Sequence, residues 1–265
     1  DIRIVPQNNN YTISLKDFML NSLARKVEAD SLSIKPRHGK FEFAHRDGKQ
    51  KDRFDVMIPK IILNDFPVKD LADSTLIASG LHIYAATVKI FRDKRLPAIR
   101  IHDKPLPSVM LREIPFAIGI DSVCIHDSAV VYEEFPEETE GNQSGIITFD
   151  DLNATAYNVT NQPAAGGPEY VDLDVRAKFM NSGILAVSFD IPFDHSKSHR
   201  VTGSVSNFDL TSLNPMLKNL AMIQVNSGTM HSMPFHFVYD NRASAGEIEL
   251  NYGKLKVVSL QEKKE

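Results

Sequence analysis

Three scarcities in this 265-residue sequence each exclude a class of protein. Cys124 is the only cysteine, so neither an intrachain disulfide nor a cysteine-rich metal site can form. No run of about 18 apolar residues is present, which excludes a membrane-spanning helix within these residues. The formal net charge of -4 lacks the positive excess of nucleic-acid-binding proteins, so we expect no nucleic-acid partner.

The rest of the composition is that of an ordinary globular protein. Hydrophobic residues make up 42% of the chain and charged residues 24%. A chain of this length can bury a core as one large β-domain or as two smaller ones. We expect one continuous β-rich region over residues 1–265.

The clearest pattern lies in residues 170–193, where apolar and polar residues alternate on both sides of the turn-forming segment 180–184. A period of two separates side chains onto opposite faces of a strand, so this stretch predicts a long antiparallel hairpin with one apolar face. That face is the candidate lipid- or core-facing strip, and it consists of Val171, Leu173, Val175, Phe179, Leu185, Val187, Phe189 and Ile191. Because a two-stranded ribbon is not stable alone, other strands or a lipid-like ligand must cover the strip. We therefore expect Val187→Asp to cost several kcal/mol and Ser188→Asp to be nearly neutral.

Residues 1–140 contain a recurring pattern of a small residue, an aliphatic, any residue and an aliphatic. It occurs at residues 30–34, 79–83 and 121–125, and a second apolar run follows each copy at 40–43, 87–91 and 129–132. The spacings are irregular, so we interpret the copies as recurring hairpins along a sheet rather than as a strict solenoid. Chance similarity among alternating strands is the alternative.

Other parts of residues 1–140 give less uniform signals. Residues 11–23 fit either a strand or a helix, and residues 27–43 predict a hairpin that turns near 36–39. Pro59 predicts an edge or a bulge in the strand expected over residues 52–68. One short helical turn is expected at 108–114.

Residues 141–265 predict a β-meander, since three glycines each open an alternating strand there. The one clear helix is expected over residues 213–221. Asn214 can cap its free N–H groups, and Pro215 suits the first helical position. The predicted fold class is therefore all-β, a long antiparallel curved sheet, groove-like or sandwich-like, with one or two short helices.

A search for catalytic and metal-binding residues finds no convincing set. His195 and His199 lie in a predicted loop, and the other histidines have no partners at ligand spacing along the chain. Cys124 and His126 would share one face of a strand, but a structural cysteine is the expected interpretation. The acidic residues 133–141 are typical of a solvated loop. We expect no catalytic centre, no metal and no cofactor, and hence no enzyme.

The order of these segments resembles that of the AsmA-like envelope proteins of Gram-negative bacteria, especially the forms found in Bacteroides relatives. The resemblance rests on residues 120–123 and 131–133, 145–149 and 158–161, 201–203 and 213–215, 227–228, and 246–252 with Leu255 and Val257. It implies an antiparallel sheet curved into a groove on the periplasmic side of the envelope. It also implies a role in lipid handling or outer-membrane assembly, as in the related bridge-like lipid-transfer proteins.

The same resemblance makes residues 1–265 a piece of a longer protein that is anchored by an N-terminal segment outside this sequence. The expected partners are phospholipid acyl chains and other segments of that longer protein. The alternatives are a structural or ligand-binding β-sandwich, whose apolar faces cover each other, and an enzyme whose catalytic residues converge from distant positions. Whether protein covers the strip distinguishes the first two.

Overall fold

The computed structural model describes residues 1–67, 75–98, 105–137, 143–194 and 196–260. Within these residues, fourteen strands form a single sheet with mostly antiparallel neighbours, so the predicted all-β class is confirmed. The strands are β1 (Ile2–Ile4), β2 (Tyr11–Asn21), β3 (Lys26–Pro36), β4 (Arg53–Asn64), β5 (Thr75–Tyr84), β6 (Thr87–Asp93), β7 (Ala117–Phe135), β8 (Gly145–Thr160), β9 (Tyr170–Phe179), β10 (Gly183–Pro192), β11 (His199–Asp209), β12 (Ile223–Tyr239), β13 (Ser244–Ile248) and β14 (Asn251–Ser259). The helices in the described ranges are α1 (Lys40–Asp47), α2 (Pro107–Arg112) and α3 (Asn214–Ala221), and a 3-10 turn at Leu210–Leu213 precedes α3.

The order of strands across the sheet follows the chain except at one place. The path runs β1-β2-β3-β4-β5-β7-β8-β9-β10-β11-β12-β13, while β14 pairs with β12 and β6 lies between β4 and β7. Strands β5 and β6 both run parallel to β7, and every other pairing is antiparallel. A parallel pairing needs a crossover connection, and the chain between β6 and β7, which contains α2, provides it. We did not predict this parallel junction from the sequence.

The hairpin interpretation of the recurring segments is wrong. Strands β5 and β6 do not fold back on each other; they follow one another along the same line between β4 and β7. The third copy and its second run both lie within the 19-residue strand β7. In the second copy the break separates two strands on one line, and in the third it is an interruption within β7, where the pairing with β8 shifts register between Ile125 and Ser128. Pro59 lies at such a junction, between the part of β4 that pairs with β6 and the part that pairs with β5.

The predicted hairpin over residues 27–43 is also wrong at its second arm, because residues 40–43 begin α1. Four residues that alternate between apolar and polar are too few to separate a strand from one helical turn. Phe43 and Ala44 are buried, and the Phe41 ring packs edge-on against Phe91 at 5.4 Å and Phe135 at 5.1 Å. Helix α1 therefore covers the end of β6 and β7.

Residues 170–193 form the predicted hairpin. Strand β9 pairs with β10 from Phe179 opposite Gly183 to Tyr170 opposite Pro192. Met180 and Asn181 have φ of +52° and +54° in the turn, a left-handed conformation that is uncommon outside tight turns.

The structure also answers what residues 11–21 form and how helix α3 begins. Residues 11–21 form a strand and not a helix. Helix α3 is present where it was expected, but Asn214 does not cap it. Its amide group donates to the Val225 carbonyl and accepts from the Val225 N–H, which ties the start of α3 to β12.

Two separate clusters of buried apolar side chains serve as the core of the described chain. One lies under α3, where Phe208 and Met230 are almost fully buried. The other lies across β4, β5 and β7 and includes Leu63, Phe66 and Ile120. Between them, the described residues form no packed layer over much of one sheet face, and that face is the candidate site.

Candidate functional site

Rows of apolar residues run across the sheet on one face. One row contains one residue from each strand from β2 to β12 except β6, and each residue lies directly opposite the next. The row consists of Leu20, Val27, Leu63, Leu81, Val123, Ala156, Leu173, Phe189, Val201 and Phe237. A neighbouring row contains Val175 and Val187, which are cross-strand partners, and continues to Gly203 and Phe235. At about 4.8 Å per strand, such a row extends roughly 45 Å. The apolar face, defined by these two rows, is therefore continuous across most of the sheet.

The structure places all eight strip residues in the β9–β10 hairpin, and most of them keep contact with solvent. Val171 is buried at 5% exposure, and the other seven are half-buried. On the opposite face of the hairpin, Asp172, Asp174 and Arg176 are exposed. The hairpin is thus one-sided, as the alternation predicted, but its apolar side is only partly covered.

Val171, the one buried residue of the strip, lies near helix α2. A cavity of about 180 Å³ lies between α2 and the end of the hairpin, and its walls include Leu111, Val171 and Ile191. Cover by α2 stops there, because the helix spans only Pro107–Arg112. Val175 and Val187, further along the hairpin, have no helix over them in the described residues.

The total accessible surface also indicates an open sheet. A compact monomer of 29.7 kDa exposes about 11,600 Å², whereas this chain exposes 16080 Å². Two packed layers would bury the apolar residues of both inner faces. The excess surface, together with the half-buried strip, argues against faces that cover each other.

Apolar exposure continues to both edges of the sheet. Ile2, Ile4 and Phe18 are at least half exposed near the β1 edge, and Ile248 is 58% exposed at the β13 edge. Edge strands with unpaired backbone groups and apolar side chains are templates for further strand pairing. The two edges can therefore accept additional strands.

The acidic stretch was predicted as a solvated loop, and this prediction is wrong for its first residues. Glu133 and Glu134 belong to β7, where they form ion pairs with Lys40 and Lys94. Tyr132 donates a hydrogen bond to Glu134, and burial together with this bond raises the pKa of the Tyr132 hydroxyl. Residues 138–141 of the stretch lie outside the described residues. These ion pairs hold Glu133 and Glu134 at the end of the sheet.

The histidines are arranged differently from what the sequence indicated. His102 and His195 lie outside the described residues, while His199 is buried in β11, stacked on Tyr239. His82, expected to have no ligand partner, lies with Cys124 and His126 in one cluster on the face opposite the apolar face. Cys124 and His126 share a face as predicted. We did not predict that His82 joins them, because it belongs to another strand and lies 42 residues before Cys124 in the sequence.

Comparisons with known proteins do not assign the chain to a family. No protein-family model matches it, and no curated protein matches it significantly. The resemblance to the AsmA-like envelope proteins therefore stays a prediction. Among the helices of the described ranges, none has the length and hydropathy needed to cross a bilayer.

Proposed function

We propose that this chain is a non-enzymatic module of the cell envelope whose apolar face binds lipid acyl chains. The observation that supports it is the incompletely covered apolar face, in which seven of the eight strip residues are half-buried. Large apolar surfaces on soluble domains mark places where a partner, a ligand or a membrane binds. The periplasmic location and the role in lipid handling or outer-membrane assembly rest on the family resemblance.

The size and chemistry of the face suit a flexible hydrocarbon chain. Burial of each methylene contributes about 0.8 kcal/mol, so a long acyl chain can bind without a charged anchor. The residues on the face are aliphatic and aromatic, and they repeat from strand to strand without an interposed charge in the two rows. A chain can therefore bind at successive positions, while its headgroup stays in water at the rim.

The second candidate is a structural β-sandwich. It would require the apolar face to pack on another layer of this chain, and the single sheet of the described residues, together with the large accessible surface of the chain, argues against that. Cover by a neighbouring segment of a longer protein is compatible with the same open face. The test has to separate that outcome from lipid binding.

The experiment offers the purified protein a phospholipid with a photoreactive group at the end of one acyl chain. Crosslinked peptides are then mapped by mass spectrometry. We expect label on the apolar-face residues of β9, β10 and β11, with Val175, Val187 and Val201 among them. We expect none on Asp174, Arg176 or other residues of the opposite face.

Two matched variants sharpen the result. Val187→Asp introduces a charge on the apolar face, whereas Thr202→Asp introduces the same side chain one strand away on the polar face. We expect the first to lower crosslinking several-fold and the second to leave it unchanged. Absent label, label spread over both faces, or equal loss in both variants would contradict the proposal.

A further inference from the structure

On the polar face, the parallel junction of β5 and β7 brings three metal-ligating side chains together. The two strands are in register, so His82 lies beside Cys124 and Tyr84 beside His126. His82 Nδ1 is 3.2 Å from His126 Nε2. One ligand atom from each of His82, Cys124 and His126 lies within 4.8 Å of the others. No other group of three such residues within this distance occurs in the described ranges.

We propose that His82, Cys124 and His126 bind a zinc ion. Two imidazoles and a thiolate are a borderline-soft donor set that suits Zn²⁺ and disfavours Mg²⁺ and Ca²⁺, which prefer oxygen. With Zn–N bonds of about 2.0–2.1 Å, two nitrogens of a tetrahedral site are roughly 3.3 Å apart. The observed separation of 3.2 Å between the two imidazole nitrogens matches that edge.

The thiolate needs only a small adjustment to complete the site. A nitrogen and a sulfur on one tetrahedral zinc are separated by roughly 3.5 Å. Since the ligand atoms already lie within 4.8 Å of one another, the sulfur has to approach each nitrogen by at most about 1.3 Å, which a small side-chain rotation can provide. The ligands come from strands, whose backbone is held in place by neighbouring strands on both sides.

Surrounding residues hold the two imidazoles in position. The Tyr84 ring stacks on His126 with centroids 4.6 Å apart and an interplanar angle of 16°. The His82 and His126 rings are within 9° of parallel.

Three protein ligands leave a fourth position on the ion for water or a small ligand. A depression of about 220 Å³, whose walls include His126, Thr155 and Asp174, borders the cluster. We predicted no metal from the sequence because the histidines have no partners at ligand spacing along the chain. In the structure, His82 comes from a different strand and lies beside Cys124 and His126, so spacing along the chain no longer excludes a metal. The zinc site is independent of the lipid-binding function proposed above.

The test uses the full chain, stripped with a chelator and kept reduced with a phosphine so that Cys124 stays a thiol. Zinc binding is titrated by calorimetry, and thermal unfolding is followed with and without the ion. We expect one zinc per chain and a rise in Tm of several degrees, because an ion that binds only the folded state stabilises it. Cobalt added in place of zinc is expected to give a thiolate-to-metal charge-transfer band.

Cys124→Ser and His82→Ala test the ligands, and His236→Ala is the control, since His236 lies exposed on β12 away from the cluster. Loss of a ligand should weaken zinc affinity by at least about 10–100-fold, the usual cost of losing even an outer-shell partner. His236→Ala should bind as the parent does. A parent that binds no stoichiometric zinc would leave only a hydrogen bond between two histidines and overturn the proposal. So would a cobalt complex without the thiolate band, or unchanged affinity in Cys124→Ser.

Discussion

Val187→Asp tests which face of the sheet is apolar, and its cost follows from the position of the side chain. Val187 lies between Val175 and Gly203 in its cross-strand row and is half-buried. Full burial of a valine contributes about 1.5–3 kcal/mol, so the half-buried side chain accounts for about 1 kcal/mol. Partial desolvation of the new carboxylate adds about 1–2 kcal/mol. We expect a loss of about 2–3 kcal/mol in the free energy of unfolding, at the low end of the several kcal/mol expected from sequence because water reaches this face.

The control for Val187→Asp has to introduce an aspartate on the polar face of the sheet. Ser188→Asp, expected from the sequence to be nearly neutral, is unsuitable because Ser188 donates a hydrogen bond to Asp174, its cross-strand partner. A carboxylate there would face another carboxylate. Thr202 is β-branched like valine, exposed, and opposite Ser188 and His236. Thr202→Asp should change stability by less than about 0.5 kcal/mol.

Urea unfolding followed by circular dichroism measures both variants against the parent. The urea concentration at the unfolding midpoint should fall for Val187→Asp and stay unchanged for Thr202→Asp. The m-value should stay constant in both variants, because the surface exposed on unfolding is similar. Equal midpoints for the two variants would show that the two faces do not differ in polarity at this place. The assignment of the apolar face would then be refuted.

Three further variants test other parts of the structure. Asp93→Asn should lower the free energy of unfolding by about 1–2 kcal/mol at pH 7, because the fully buried Asp93 accepts hydrogen bonds from Arg95 that lower its pKa. A carboxyl group with a lowered pKa contributes stability that is lost as pH falls through that pKa, so the urea melts of parent and variant should converge below about pH 4. Gly183→Ala should lower the free energy of unfolding by about 1–3 kcal/mol in thermal melts, since its Cβ would lie 2.8 Å from the buried Phe208 ring. Gly39→Ala, with nothing within 4 Å of its Cβ, should cost less than about 1 kcal/mol, because it replaces only the N-cap glycine of α1. Burial lowers the pKa of His199, so the parent should lose stability as pH falls below about 6.5, and His199→Phe should lose less over that range; equal pH slopes would contradict this.

The sequence alone predicted the local elements well where their signals were long. The β9–β10 hairpin, helix α3 and the helical turn at α2 lie where the patterns placed them. The short run at residues 40–43 was assigned to a strand because four residues fit both periods, and burial of Phe43 against the sheet decided for a helix. A run of four residues was therefore too short to distinguish a strand from a helical turn.

The zinc-site ligands had a sequence signal whose meaning was misjudged. The recurring segments at 79–83 and 121–125 align His82 with Cys124, and the structure pairs the two residues in that same register. We interpreted the copies as separate hairpins, which would have kept the two residues apart. Similar short strands that pair in parallel can put equivalent positions side by side, so the repeat is consistent with the contact, but it does not show that these two copies pair with each other.

The sequence determined that this chain forms strands with one apolar and one polar face, because alternation is a property of neighbouring residues and survives whatever the strand pairs with. Only the tertiary structure decided that β5 and β6 join end to end beside β7, that their pairing with β7 is parallel, and that His82 reaches Cys124 and His126. It also decided how much of the apolar strip stays in contact with solvent. All of these outcomes depend on which distant segments meet. Pairing partners far apart in sequence are selected by the packing of the whole sheet, which no local period encodes.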